Sequence, residues 1–327
     1  FDYLKNEFVS IRAGRVDTRI VERVTVDYFG TMTPIKNLAN ISCTDARTIV
    51  VNPWDASILS AIVKALGAAN LGASPVDDGR IVRLVFPQLT AETRKELVKK
   101  VHKIAEETRV GMRNERRDAL DQLKKISNAE KISEDDVKNV EHDVQKVLDD
   151  YIANVDTALA QKEIEKAIKP GITTYELDQI AEKTIREHGG IPAEKGYPSG
   201  VRGVPNFPGT LCVSINDVVI HGIPSKDIII KEGDVVSVDL VVLKNGFHGD
   251  CARTYIVGNT SPEAKRLVEV TKQAFFEGIK FAKVGNRLGD VSHAIGEFIE
   301  KNGYSVVREF QGHGIGKQMH EDPGIPN

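Results

Sequence analysis

Asp239 sits in a strongly apolar run, Val235-Val-Ser-Val-Asp-Leu-Val-Val, where burying an unpaired carboxylate is costly, so something positive must face it. Asp250 follows 11 residues later, beyond an Asn245-Gly246 turn. A hairpin there brings both carboxylates to one side of neighbouring strands, and two carboxylates so close repel unless a cation or a proton lies between them. The alternative is that Asp250 only begins a turn and pairs with Arg253. Gln311-Gly-His-Gly-Ile-Gly-Lys-Gln-Met-His-Glu321 places His313 and His320 in a glycine-rich segment. Glycines let the backbone approach a ligand closely, and neutral imidazole is a metal ligand and a proton carrier. His221, in Val-Ile-His-Gly-Ile-Pro, is a third histidine beside a glycine. Each histidine alone reads as a satisfied loop residue; the five residues together predict a site.

The first 165 residues hold no constellation of nucleophile, acid and base. Their chemistry is cationic: Arg109, Arg113 and Arg116 recur in steps of four and three and so share one side of a helix, with Arg117 beside them and Arg12 and Arg15 on an earlier helix. Arginine suits phosphate contacts, although a solvated helix face is the plainer reading.

The elements that must carry these residues follow from periodicity. Leu97, Val101, Ile104, Thr108, Met112, Ala119, Leu123 and Ile126 form one narrow apolar stripe, and Val137, Val140, Val144, Val147, Tyr151, Val155 and Leu159 form another. Leu4, Phe8 and Ile11 continue that spacing, which predicts a three-helix bundle. Ser133, followed by three acids, is an N-cap. Between the first two helices, Val24–Phe29, Thr48–Val51 and Ile81–Phe86 read as strands and residues 55–66 as a short helix. An inserted α/β unit of residues 19–89 thus interrupts a bundle of 1–18 and 90–165, with connections near residues 18 and 89. From residue 166 to 327 the texture is α+β. A capping box, Thr173-Thr-Tyr-Glu176, opens a helix; strands are expected at 211–216, 235–243, 251–257 and 304–309, and helices begin at Ser261-Pro262 and at Gly289.

Composition bounds the rest. The 327 residues, 41% hydrophobic and 28% charged, suit two soluble domains. No apolar run reaches the roughly 20 residues of a membrane span, and Phe-Asp-Tyr-Leu-Lys is not a signal peptide. A chain beginning with Phe reads as a fragment or processed product. Cys43, Cys212 and Cys251 are an odd count without CxxC spacing, which fits a reducing, cytoplasmic setting. The net charge of -3 hides a contrast: residues 94–125 carry 11 basic against 6 acidic side chains, and residues 130–165 carry 4 against 11.

With these residues in view, the segment from about Ile168 to Asn327 resembles the type I methionine aminopeptidase family. The stretches NFPGTLCVSINDVVIHGIP, KEGDVVSVDL, GFHGDCARTYIVG, SHAIGEFIEKNGYSVVRE and GHGIGKQMHEDP match its pattern in order and spacing. The resemblance implies an incomplete pita-bread α/β domain that takes a nascent polypeptide N-terminus as substrate. Asp239, Asp250 and His313 would be ligands of two divalent metal ions (cobalt, manganese, iron, zinc or nickel), with Asp250 bridging them. His221 and His320 would contact substrate and tetrahedral intermediate, and Phe207, Cys212 and Met319 would form the methionine side-chain pocket. The family completes its metal site with two glutamates on later strands, which this chain does not reach, and the family's first helix is taken up by the other half. Impaired peptidase activity is the expectation.

The segments SIRAGRVDTRIVERVTVDYFGTMTPIKNLANISCTDARTIVVNPWD, NLGASPVDDGRIVRLVFPQLTAETRKELVKKVHKIAEETRVGMRNERRDALDQLKK and ISEDDVKNVEHDVQKVLDDYIANVDTALAQKEIE resemble ribosome recycling factor. The resemblance implies an L-shaped pair of domains that splits post-termination ribosomes with elongation factor G. Arg109, Arg113, Arg116 and Arg117 would meet large-subunit ribosomal RNA, and the two connections would act as a hinge. Residues 158–169 carry no flexible linker, so two translation-linked families meet within one helix, as in a fusion or chimera. The competing expectation is a non-catalytic, ribosome-associated protein that uses the aminopeptidase fold for interaction.

Overall fold

The computed structural model describes residues 4, 7, 8, 16–45, 47–69, 71–87 and 90–326. It divides into two compact units, Phe1–Thr108 and Arg109–Asn327. Ile11, Arg12, Arg15 and the connection near residue 89 lie outside the described residues. Leu4 and Phe8 are buried, as the first stripe requires.

In the first unit, α1 (Arg19–Glu22), β1 (Thr25–Tyr28) and β2 (Thr31–Pro34) precede an antiparallel sheet. That sheet comprises β3 (Ala39–Cys43), β4 (Thr48–Pro53), β5 (Pro75–Asp77) and β6 (Val82–Val85), in the order β3-β4-β6-β5. Ile49, Val51, Val82 and Leu84 alternate with more exposed neighbours, as strands half-buried on one face must. They pack with Ile62 and Leu66 of α2 (Leu59–Ala68). Asp55 opens the turn before α2 by accepting the Ser57 backbone N–H at 2.8 Å. Strands β2, β3 and β5 carry no clear alternation and were not expected.

Two long helices follow, α3 (Ala91–Glu130) and α4 (Glu134–Ala167), the latter capped by Ser133. Their stripes are only partly closed: Ile126, Val140, Val147 and Tyr151 remain exposed. Over its last four turns α4 is buried all round. Ala153, Thr157, Ala160 and Ile164 fall on one side, and Ile152, Val155 and Leu159 on the other, all buried.

The second unit is organised by α4, α5 (Thr174–Glu187) and a sheet of β7 (Ile191–Pro192), β8 (Cys212–Ile215), β9 (Val235–Lys244) and β10 (Phe247–Ile256). β9 pairs antiparallel with β10 on one edge and with both β8 and β7 on the other. Asn245 and Gly246 join β9 to β10 with φ of 51° and 83°, the left-handed pair that a two-residue hairpin turn demands. Val236, Val238, Leu240 and Val242 of β9 share a core with Ala160, Ile164, Leu177, Ala181 and Ile185. Thr157 donates to the Gly249 carbonyl at 3.0 Å, and Gln161 to the Tyr255 hydroxyl at 3.0 Å. The aminopeptidase-like segment therefore does have a first helix: the end of α4 fills that place, because a helix has two sides and only one is used by the stripe.

Helices α6 (Pro262–Ile279) and α7 (Leu288–Lys301) lead to a two-stranded sheet of β11 (Gly312–Gly314) and β12 (Glu321–Ile325). The strand expected at 304–309 is not formed. Pairing is taken instead by the glycine-rich segment, whose Gly314 lets the backbone of Asp322 approach to 2.5 Å of where a Cβ would lie.

Candidate metal and substrate site

The hairpin register decides the carboxylates. Asp239 is opposite Ala252, and Asp250 is opposite Val241, so the two are diagonal neighbours on one face, away from the helices. Asp250 is the fourth residue of β10 and does not open a turn. Asp239 Oδ1 is buried without a hydrogen-bond partner. Asp250 keeps much of its surface exposed, yet lost hydration, then the charge and hydrogen bond of Asp239, push its carboxyl up to about 7. Carboxylates so placed favour a proton or a cation between them.

The histidines converge on the same region. His313 lies on β11, and its nearness works against the rise at Asp250. The His313 and His320 rings are 4.3 Å apart, and His320 Nδ1 is 2.9 Å from the Tyr197 hydroxyl. Burial, then His313, His221 and His248, lower the pKa of His320, so a neutral imidazole is favoured. His221 has a left-handed backbone, φ 57°, a strain that persists only where the surroundings impose it. Its ring is 6.3 Å from Phe310. The His248 backbone N–H donates to the Gly316 carbonyl at 2.8 Å, fastening the glycine-rich segment to β10.

Of the expected pocket residues, Cys212 is buried opposite Asp239, and burial pushes its thiol pKa up. Phe207 is half-buried and exchanges backbone hydrogen bonds with Gly196 and Tyr197. Met319 is half-buried.

Sequence reasoning missed Glu194, which no periodicity or motif marks. It is 8% exposed and accepts from Cys212 Sγ at 3.7 Å. Burial, then Asp239 and Asp250, push its carboxyl up to about 9. Tyr197 and His248 were missed for the same reason.

The donor set suits a hard divalent cation: two carboxylates sharing a face, one with an orphaned oxygen, and a histidine near by. Among the described residues no three such side chains are already gathered at metal-binding distance, so the carboxylate pair is the preformed part.

The arginines separate. Arg109 is buried and paired with Asp156 of α4, which also pairs with Lys244 of β9 at 3.1 Å. The Arg109 guanidinium, expected to meet RNA, is 7% exposed and paired with that buried carboxylate. Arg113 and Arg117 are exposed and Arg116 half-buried. Arg109, Arg113 and Arg116 do share one side of α3, where with Lys244 and Asn245 they line a cavity of about 490 Å³.

A carboxylate pair with histidines on an antiparallel sheet is the hardware of a metal-dependent hydrolase, and comparison with known proteins agrees. The profile of metallopeptidase family M24 matches residues 152–327, and that of ribosome recycling factor matches residues 4–166. The chain belongs to both families, and residues 152–166 of α4 answer to both at once. It is 52% identical over 164 residues to a methionine aminopeptidase of Clostridium acetobutylicum, half of this chain and 63% of that protein. It is 49% identical over 162 residues to a ribosome-recycling factor of Caldicellulosiruptor saccharolyticus, half of this chain and 88% of that protein. A crystal structure of methionine aminopeptidase from Thermotoga maritima superposes with a TM-score of 0.50 at 42% identity, covering 54% of this chain and 68% of the other. The chain thus spans somewhat under two thirds of the curated aminopeptidases it matches. M24 is a metallopeptidase family, and membership implies divalent metal ions as its cofactors. No described helix is long and apolar enough to cross a membrane.

Proposed function

We propose that the chain is a fusion in which a ribosome-binding recycling-factor segment carries a metal-dependent aminopeptidase segment directed at N-terminal methionine of nascent polypeptides. The observation that carries the catalytic part is the diagonal Asp239–Asp250 pair with its orphaned, buried oxygen. Asp239, Asp250 and His313 would hold two divalent ions, of the cobalt, manganese, iron, zinc or nickel class. Bound there, such ions supply a water of lowered pKa and polarise a carbonyl. His320, kept neutral by its surroundings, donates a proton toward the oxyanion, and Tyr197 orients its ring. His221 contacts substrate, while Phe207, Cys212 and Met319 enclose the first side chain.

For the other segment, Arg113, Arg116 and Arg117 contact ribosomal RNA, with elongation factor G as partner in subunit splitting. Arg109 serves instead as a structural cation. The acidic remainder leaves this local affinity intact because phosphate contacts are short-ranged and confined to the middle of α3.

Two measurements test the reading. Calorimetry with Mn²⁺ should show uptake by the full chain that Asp239→Asn and Asp250→Asn abolish; uptake unchanged in both variants refutes the site. Ribosome co-sedimentation over a salt series should show a slope that falls by about two when Arg113 and Arg117 become alanine. Salt-insensitive binding refutes the RNA contact. A second reading, an interaction protein without turnover, is favoured by the spacing of the donors; it predicts ribosome binding without Mn²⁺ uptake.

A further inference from the structure

One cavity plays no part in the aminopeptidase chemistry, and its walls come from both segments. Helix α3 supplies Arg113 and Arg116, α4 supplies Asp149 with the apolar Leu148 and Ile152, and the β9–β10 turn supplies Asn245. Two links hold that turn to α4. Asn245 Nδ2 donates to Asp149 Oδ1 at 3.0 Å, and Lys244 pairs with Asp156 at 3.1 Å while donating to the His188 carbonyl. Asp149 Oδ2 accepts from Gln145 Nε2, also at 3.0 Å. Both oxygens of Asp149 are thus met by uncharged amides, and Asp156 is met by Arg109 as well as by Lys244. Among the described residues at the cavity, the cations Arg109, Arg113, Arg116 and Lys244 exceed Asp149 and Asp156 by two charges. Arg116 Nε is buried without a hydrogen-bond partner, a donor whose lost hydration stays uncompensated until an acceptor meets it. An anion answers both the charge excess and this donor. The cavity holds about 490 Å³, a volume in the range of small-molecule sites and more than a phosphate group fills, and Leu148 and Ile152 give the remainder an apolar lining.

We propose that this cavity binds a phosphate dianion, free or as the monoester of a small molecule, on Arg113 and Arg116, and that its occupant competes with RNA for those arginines. Guanidinium groups match phosphate oxygens in charge and in fork geometry. A monoester carries close to two charges and so matches the excess, whereas each backbone diester of RNA carries one. Lys244 and Asn245 lie outside the recycling-factor match, which ends at residue 166, so the wall that closes the cavity belongs to the aminopeptidase-like segment and the ligand is read by residues of both. Competition rests on the assignment of Arg113 and Arg116 to ribosomal RNA; the anion site does not.

The test is calorimetric titration of the full chain without added metal, at about pH 8 where phosphate is a dianion, by inorganic phosphate, glycerol 3-phosphate and dimethyl phosphate. The better of the first two should bind about tenfold tighter than dimethyl phosphate, which keeps the shape with a single charge. Tighter glycerol 3-phosphate assigns the site to monoesters, tighter inorganic phosphate to the free ion. Arg116→Gln should weaken the favoured ligand about tenfold, and Asp149→Asn, which removes a like charge and keeps an acceptor for Asn245, should tighten it about fivefold. In ribosome co-sedimentation at fixed ionic strength and free Mg²⁺, replacing chloride by that ligand should weaken binding about tenfold. Absence of phosphate binding, dimethyl phosphate bound as tightly, or affinities unchanged in both variants overturns the inference, and salt-sensitive ribosome binding that persists then leaves the RNA reading standing. Phosphate bound through Arg116 without effect on ribosome binding overturns the competition and the assignment of Arg113 and Arg116 to RNA. Should Arg116→Gln not fold, Asp149→Asn and the ligand ranking decide.

Discussion

If the end of α4 is the first helix of the aminopeptidase-like unit, Gly249→Ala should injure that unit severely for so small a change. A Cβ at Gly249 would lie 2.8 Å from the Ala153 carbonyl carbon, 2.9 Å from its oxygen and 2.8 Å from Thr157 Oγ1. These separations lie well inside van der Waals contact, and two of the atoms are helix backbone, which cannot rotate away. Either the strand or the helix must shift. Overpacking of this kind costs about 1–3 kcal/mol. A helix displaced outward also stretches the 3.0 Å Thr157 hydrogen bond to the Gly249 carbonyl, worth about 1 kcal/mol. The expected loss is therefore about 2–4 kcal/mol. Urea unfolding followed by far-UV circular dichroism measures it. The fluorescence of Trp54, the single tryptophan, lies in the Phe1–Thr108 unit and should report a transition little changed. Adding Thr157→Ala should restore only part of the loss, since the clash with Ala153 backbone remains. A Gly249→Ala protein within about 0.5 kcal/mol of wild type, the usual range of an inconsequential substitution, would refute the packing of α4 on β10.

Further outcomes follow from the buried ionic groups. Asp156→Ala removes the carboxylate that Arg109 and Lys244 share and should cost about 3–5 kcal/mol in urea unfolding, whereas Arg117→Ala on the exposed face should change stability by less than about 0.5 kcal/mol. In metal-free protein Glu194 binds its proton up to about pH 9, against an ordinary value of 4.5. The native state thus holds more protons than the unfolded chain, and stability should fall as pH rises from the ordinary value toward 9; Glu194→Gln should flatten that slope in thermal melts across pH. Asp250, raised to about 7, adds a fall of the same sign at lower pH. Mn²⁺ must displace the proton held there, so its affinity should climb as pH rises to about 7 and level off above, with proton release visible as buffer-dependent heats.

Local physics made much of this molecule legible without coordinates. The Asn245-Gly246 turn and the period of two in β9 are short-range, and together they suffice to bring Asp239 and Asp250 to one face. The Ser133, Thr173 and Ser261 caps stand as read, because each is settled by hydrogen bonds within one turn. The spacing of Arg109, Arg113 and Arg116 correctly put them on one side of a helix. Expectations failed where a segment's fate rested on something distant. Residues 304–309 have strand-forming composition and no partner strand among the described residues. Strands β2, β3 and β5 gain their pairing from neighbours that their own composition does not announce.

The amino-acid sequence by itself determined two family memberships and the hairpin that sets Asp239 and Asp250 on one face, since these depend on side-chain chemistry and on spacing along the chain. The tertiary structure alone decided three matters. It buried Arg109 against Asp156, giving a phosphate-binding residue type a structural task. It gave the spliced helix two occupied sides, so that one stretch, residues 152–166, serves both families. It also set Glu194 beside Asp239 and Cys212, from strands that only meet through β9. In each case the deciding quantity is the withdrawal of water and the approach of groups far apart in sequence, which appears only when the chain closes on itself.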